Sequence, residues 1–206
     1  MDSPLDAPPP SSDSGYGRRG GLVAAAFIGL LLTTAAIELA MGRTFFGPDG
    51  RFGLWEGSIW SSASSQRFAD PYSFSHLTHG IVIYGFLWLV ARRVPLRHRF
   101  LLAALLEAGW ELMENSPLII NRYRAVTISL GYEGDSVFNS VSDILMMAAG
   151  FWFAGRVRVR LSVAALLVME AGCALAVRDN LTLNVIMLLH PFEVIRQWQL
   201  AGQPGL

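Results

Sequence analysis

The chain has 206 residues, 52% of them hydrophobic and only 16% charged, and its mean hydropathy of +0.40 argues against a soluble globular domain and for membrane residence. The formal net charge is zero, from 16 basic and 16 acidic residues, with no basic patch interleaved with aromatics, which excludes nucleic acid as a partner. The lone cysteine, Cys173, sits in an apolar run, leaving neither a disulfide framework nor a thiolate metal site.

Residues 1–17, MDSPLDAPPPSSDSGYG, are rich in proline, serine and aspartate and have too little apolar content to offset the entropy of ordering, so a disordered tail is expected. Gly21 to Met41 follows Arg18 and Arg19 and supplies the roughly 20 residues that a helix needs to cross the hydrocarbon core. It exceeds the roughly 7–15-residue core of a secretory signal and has no clear small-residue cleavage pattern, which favours a retained span. Further apolar segments run from Phe74 to Ala91, Phe100 to Met113, Val137 to Gly155 and Leu161 to Val177, while Leu181 to Leu189 is too short to cross alone. Pro117 is expected to end the third span sharply, because proline disfavours helical geometry in the residue before it. The predicted fold is all-α: a polytopic membrane bundle of five transmembrane helices forming one domain over residues 18–198. A short C-terminal helix, interrupted at His190 and Pro191, either re-enters the membrane or lies along its surface, and residues 199–206 form a flexible tail.

Arginines sort the connections. Arg18 and Arg19, then Arg92, Arg93, Arg97 and Arg99, then Arg156, Arg158 and Arg160 fall in alternate connections, as expected of the cytoplasmic ones, so the N-terminus is read as cytoplasmic. Residues 42–73, 116–136 and those after 177 then face outward.

Polar side chains gather at that outer side. His76 and His79 are neighbours on one face at the start of the second span. Glu107, Glu111 and Glu114 follow the spacing of a single face near the end of the third, and Asp135, Asn139 and Asp143 recur every four residues at the start of the fourth. Because successive spans run antiparallel, all three stripes reach the same depth, with Glu107 and Asp143 about 10–15 Å from the outer helix ends at about 1.5 Å rise per residue. Glu38 falls in the same layer, and Glu170 near the middle of the fifth span reads as helix–helix glue.

A carboxylate in hydrocarbon costs about 2.5–3.5 kcal/mol even on the lenient insertion scale, so this repeated placement needs compensation. Three compensations are open. In a metal site, His76, His79, Glu107 and Glu111 are the ligands of a divalent ion such as zinc, iron or manganese, with Glu114 or Asp143 as general base. In a hydrogen-bonded polar core, the acids pair with histidine, asparagine or arginine; in a proton relay, the same groups serve transport. The segment Asn121 to Gly134 reads as an outward loop over the stripes, in which Arg122 and Arg124 beside Tyr123 suit a lipid head-group phosphate, or else pair with Glu133 or Asp135. Asp135 and Asn139 complete the substrate-contacting set. Trp55 and Trp60, with Phe45 and Phe46, read as an interfacial aromatic anchor, and His190 and Glu193 as interfacial.

The motifs Asp70-Pro71-Tyr72-Ser73-Phe74-Ser75-His76-Leu77-Thr78-His79-Gly80, Glu107 through Asn115 with Trp110, Asn121-Arg122-Tyr123-Arg124 and Gly131 through Asp143 closely resemble a family of bacterial multi-pass inner-membrane proteins of unknown function. The resemblance extends from the first span to Trp198 and implies an inner-membrane location without an activity. A fainter likeness is to VanZ-like membrane proteins, which similarly order an acid, an arginine, an aspartate and an asparagine, here Glu114, Arg122 or Arg124, Asp135 and Asn139; the paired histidines are not part of that pattern. The expected function is a metal-assisted, membrane-embedded enzyme acting on a lipid or lipid-linked envelope substrate at the outer leaflet. The alternatives are a small proton- or cation-coupled carrier, or a non-catalytic subunit whose apolar faces await a protein partner.

Overall fold

The computed structural model describes the backbone of residues 13–129 and 131–203, and side chains from residue 20 onward. Within these residues the chain forms eight helices and no strand: α1 (Asp13–Ala40), α2 (Ser73–Val90), α3 (Leu96–Glu114), α4 (Pro117–Val126), α5 (Val137–Ala154), α6 (Val159–Val177), α7 (Leu181–Leu189) and α8 (Glu193–Leu200). Most of the tail expected at residues 1–17 lies outside the described residues, although α1 already begins at Asp13.

Four helices are long and apolar enough to cross a membrane: α1 from Gly20, α2, α5 and α6. The protein is a helical membrane bundle. α3 is as long, at 19 residues, but Arg97, Arg99, Glu107, Glu111 and Glu114 make it too polar to join them on composition alone. The outer helices turn apolar side chains outward, as at Leu32 (67% exposed) on α1 and Leu175 (86% exposed) on α6; on helices of spanning length, such faces suit lipid rather than water.

α2 and α5 form the central pair, with α1 and α3 against one side and α6 against the other. They cross where Gly80 meets the backbone of Met147, Gly150 and Phe151, and where Gly150 meets Leu77. Only a residue without a Cβ lets two helix backbones approach this closely. Toward the arginine-rich end of the bundle, Leu87, Phe100, Ala103, Ala104, Ala108, Ile144, Met147, Ala148 and Phe151 form a continuous buried apolar core.

Two short elements depart from expectation. Pro117 does follow the end of α3, but it also opens α4 from the first helical turn, where its missing N–H is not needed. Arg122 and Arg124 therefore lie on a helix, not in a loop. The C-terminal stretch is two short helices, α7 and α8, divided at His190 to Phe192. Gln199, expected to begin a flexible tail, is 1% exposed and donates to Asp179 at 2.9 Å; residues 204–206 of that tail lie outside the described residues.

The first connection, residues 41–72, is ordered by its own bonds and by α5. Phe68 N and Ala69 N donate to Gly53 O and Leu54 O. Val137 N and Phe138 N at the start of α5 donate to Thr44 O and Phe45 O, and Phe138 is ringed by Phe46, Phe52 and Phe68 at 5.3–5.4 Å between centroids. This loop roofs the end of the bundle where the polar stripes lie.

Candidate functional site

The glycine crossing positions the stripes. His76 is one turn from Gly80 on α2, and Asp143 two turns from Gly150 on α5, so the same close approach brings His76 Nε2 to 3.8 Å from Asp143 Oδ2. α3 supplies the third wall. Glu107 Oε1 lies 2.7 Å from His76 Nδ1 and 2.9 Å from His79 Nδ1, with Glu107 Oε2 3.1 Å from the same His79 atom. One turn along α3, Glu111 Oε1 is 3.4 Å from His76 Nδ1. Glu111 is fully buried, and neither of its side-chain oxygens has a hydrogen-bond partner.

Ligand atoms of His76, His79 and Glu107 lie within 4.8 Å of one another, and so do those of His76, Glu111 and Glu114. In a tetrahedral site with bonds of about 2.0–2.1 Å, ligand atoms stand about 3.4 Å apart, closer than the 4.8 Å within which each set lies. Glu114 lines the same cavity as Tyr123 and Trp110. Asp143 belongs to neither group; Ser73 Oγ donates to its Oδ1 at 3.3 Å.

A cavity of about 920 Å³ reaches these groups from the roofing loop. His76, His79, Glu107, Glu114 and Asp143 line its depth, Ile83 and Leu106 its floor, and Leu181, Val185 and Leu188 of α7 one side. Trp60, expected to anchor at the membrane interface, instead lines this cavity, whereas Trp55 is exposed. Asp135 and Asn139 also face the cavity. Tyr132 donates its hydroxyl proton to Asp135 Oδ1 at 2.9 Å, and Asn139 Nδ2 donates to Arg67 O at 2.9 Å. Burial pushes the Asp135 carboxyl up to about 7, against the Tyr132 hydrogen bond.

Arg122 and Arg124 do not line the cavity. Arg122 donates from Nε and from a terminal nitrogen to Leu188 O, at 3.0 and 2.8 Å, tying α4 to the end of α7. Arg124 Nε donates to Tyr132 O at 2.5 Å, and its terminal nitrogen stands 3.8 Å from Glu133 Oε1. Arg124 thus faces Glu133, the alternative stated above to a head-group contact, while Arg122 bonds a backbone carbonyl. His190 and Glu193 are exposed and stand apart from the cavity.

A second polar cluster adjoins the first. Asn115 Oδ1 accepts from Asp135 N at 2.7 Å, while Asn115 Nδ2 donates to Ser140 Oγ at 3.1 Å and to the fully buried Glu38 at 3.4 Å. Gly134, at φ +92°, leaves no room for a Cβ beside Asn115 and Arg43. Asn115 stands one turn beyond Glu111 on the same face, so the α3 stripe already contained the signal for it. Two further buried acids organise the rim. Asp70 accepts from Ser65 N at 2.7 Å and Tyr72 N at 2.8 Å; Asp179 accepts from Tyr72, Asn180, Asn184 and Gln199. Glu170 accepts from Thr182 N at 3.0 Å, fastening α6 to the first turn of α7.

Residues 38–201 match the family described as "Protein of unknown function (DUF2585)". The chain is 49% identical over 192 residues to a UPF0314 protein of Sphingopyxis alaskensis, covering 91% of this chain and 98% of that one. It is 51% identical over 173 residues to a UPF0314 protein of Paracoccus denitrificans (84% and 90% covered), and 47% identical over 174 residues to one of Rhizobium etli (84% and 89% covered). No solved structure matches. The matched segment contains His76 and His79, the three α3 carboxylates, and Asn139 and Asp143 of α5, and the chain belongs to this DUF2585 family.

Proposed function

We propose that the protein is a metal-assisted, membrane-embedded enzyme whose substrate is a lipid or lipid-linked envelope molecule, with the site in the outer half of a bacterial inner membrane. The observation that carries this reading is the convergence of His76, His79 and Glu107, with His76 also standing beside a buried carboxylate, Glu111, whose oxygens have no hydrogen-bond partner. An unpaired buried carboxylate costs several kcal/mol, and a divalent cation held by imidazole and carboxylate removes that cost. In this reading His76, His79, Glu107 and Glu111 are ligands, and Glu114 joins them because its oxygens fall in the same ligand set. Asp143, oriented by Ser73 and facing His76, is the general base that takes a proton from the attacking nucleophile.

The cavity supports an amphiphilic substrate: acids and imidazoles line its depth, while Ile83, Leu106, Val185 and Leu188 offer apolar surface to a chain. α3, antiparallel to α2 and α5 and packed against α1 as well, serves as a fifth span, with the N-terminus cytoplasmic. The buried apolar core from Leu87 to Phe151 then stands between the site and the cytoplasm, which favours a one-sided enzyme over a carrier.

Metal analysis of the detergent-purified full chain tests the proposal. Wild type is expected to retain at least one equivalent of transition metal, and the His76→Ala/His79→Ala variant to lose it. Wild-type protein that purifies, and reloads, without stoichiometric metal overturns the reading.

A further inference from the structure

A second concavity lies at the opposite end of the bundle from the polar stripes. A cavity of about 590 Å³ opens between the N-terminal half of α1, the start of α3 and the end of α5. Phe27 of α1, Phe100 of α3 and Trp152 of α5 wall it, with ring centroids 5.1 Å apart from Phe27 to Phe100 and again from Phe100 to Trp152. Ala24 and Ala149, both small and exposed, leave the space between α1 and α5 unfilled. Gly20 and Phe27, at the two ends of the α1 wall, stand two turns apart, which is about 10 Å at about 1.5 Å rise per residue. In a bilayer, an apolar groove between helices of spanning length is filled by hydrocarbon.

One lining side chain is charged, and it is Arg97. Its neighbours are engaged with rings: Arg92 lies over Trp88 at 5.4 Å, Arg99 over Tyr84 at 6.0 Å, and Arg156 over the groove's own Trp152 at 5.1 Å. Arg97 stands over no ring and pairs with no acid among the described residues. The sequence supplies no acid for it from the adjoining helix ends either, since neither aspartate nor glutamate occurs between Ile81 and Leu106 or between Ile144 and Met169. The groove therefore offers hydrocarbon contact along its length and an unanswered positive charge at its mouth. The molecule that combines an acyl chain with an anion at one end is an anionic phospholipid.

We infer that this groove binds one anionic phospholipid, with an acyl chain laid along α1 against Phe27, Phe100 and Trp152 and the phosphate on Arg97. The site is separate from the histidine–carboxylate cavity and independent of the metal-dependent reading; here the lipid is a bound component and not a substrate. Seated where α1, α3 and α5 meet, it braces α1, which packs mainly on the other two.

The test is native mass spectrometry of the delipidated, detergent-purified full chain, titrated with phosphatidylglycerol or with phosphatidylcholine of the same acyl chains. Wild type is expected to take up one phosphatidylglycerol ahead of further lipid, about fivefold more tightly than phosphatidylcholine. Arg97→Gln should erase that preference, and Ala149→Leu, by filling the groove, should weaken both lipids. Arg93→Gln, at an exposed position outside the lining, should change neither. Equal affinity for the two lipids, or an equal loss in Arg93→Gln and Arg97→Gln, overturns the site and leaves only diffuse attraction to a basic surface. Phosphatidylglycerol with a photoreactive acyl chain gives a reading on wild type alone: crosslinks are expected within 20–27 or 148–152, and crosslinks spread evenly over the outward faces of α2 and α6 overturn the inference even if no variant folds.

Discussion

The α2–α5 crossing makes a quantitative demand that Gly80→Ala tests. A methyl group at position 80 would stand 2.5 Å from Phe151 N and 2.9 Å from Gly150 C, and nearer still to Met147 O. These obstacles are backbone atoms and cannot rotate aside. Restoring ordinary contacts of about 3.5 Å requires the two helices to separate by about 1 Å. Overpacking of this kind costs about 1–3 kcal/mol, and with backbone on both sides the upper end is expected, which corresponds to roughly 6–12 °C in melting temperature for a chain of this size. The same displacement draws Asp143 away from His76, so on the metal-dependent reading proposed above metal affinity should fall by about 10–100-fold, as when a group behind a ligand is lost. Thermal unfolding in detergent, followed by metal titration, measures both. Gly85→Ala on the same helix is the control, since nothing lies within 4 Å of its added methyl, and it should melt with wild type or slightly higher because alanine is the better helix former. If Gly80→Ala melts together with Gly85→Ala, backbone contact at the crossing does not set the spacing of the site.

Arg122→Ala removes two charged donors from Leu188 O, a loss of about 1.5–3 kcal/mol, and should speed amide hydrogen exchange in α7 while leaving α2 and α5 protected; unchanged exchange in α7 would show that the tie is dispensable. Asp135 has its folded-state value raised to about 7 by burial, so its contribution to stability is fully present below the unfolded value of about 4 and is lost as pH rises through about 7. Asp135→Asn should therefore gain in melting temperature relative to wild type as pH rises from about 4 to about 7. A difference that stays flat across that window contradicts the buried, proton-holding state of this carboxyl.

The helical stripes were legible because their period is a property of local sequence: His76 with His79, and Glu107 with Glu111 and Glu114, share faces in any α-helix, and the alternation of arginine-rich connections aligned them in depth. What could not be read were bonds between distant segments. Arg122 beside Tyr123 has the composition of a phosphate contact, but its partner is a carbonyl from the end of α7, and no local pattern encodes that. α4 was hidden for a different reason. PLIINRYRAV has little net hydrophobicity, so Pro117 registered as a stop for α3 and not as the first turn of another helix. That Trp60 lines the cavity was not legible, because an aromatic in an outer connection has the same local signature whether or not a cavity lies beneath it.

The distinction between a structural polar core and a site for a ligand turns on hydrogen-bond satisfaction, which varies among the buried acids of this one molecule. Asp179 is almost wholly buried, yet four donors converge on it, among them Tyr72 and Gln199. Asp70 is equally buried and receives two backbone N–H groups. Both behave as a folded polar core requires, with donors supplied by the segments they join. Glu111 is as buried as either, but Ala108 and Ala104 precede it on α3, and no backbone or side-chain donor reaches its oxygens. The fold thus supplies donors to the acids that hold loops and helix ends together and leaves without them Glu111, one turn along α3 from the acid that meets both histidines. Glu38 keeps one donor, from Asn115, and lacks a partner only on its other oxygen, whereas both oxygens of Glu111 go without, and it is this carboxylate that the metal-dependent reading proposed above assigns to a cation.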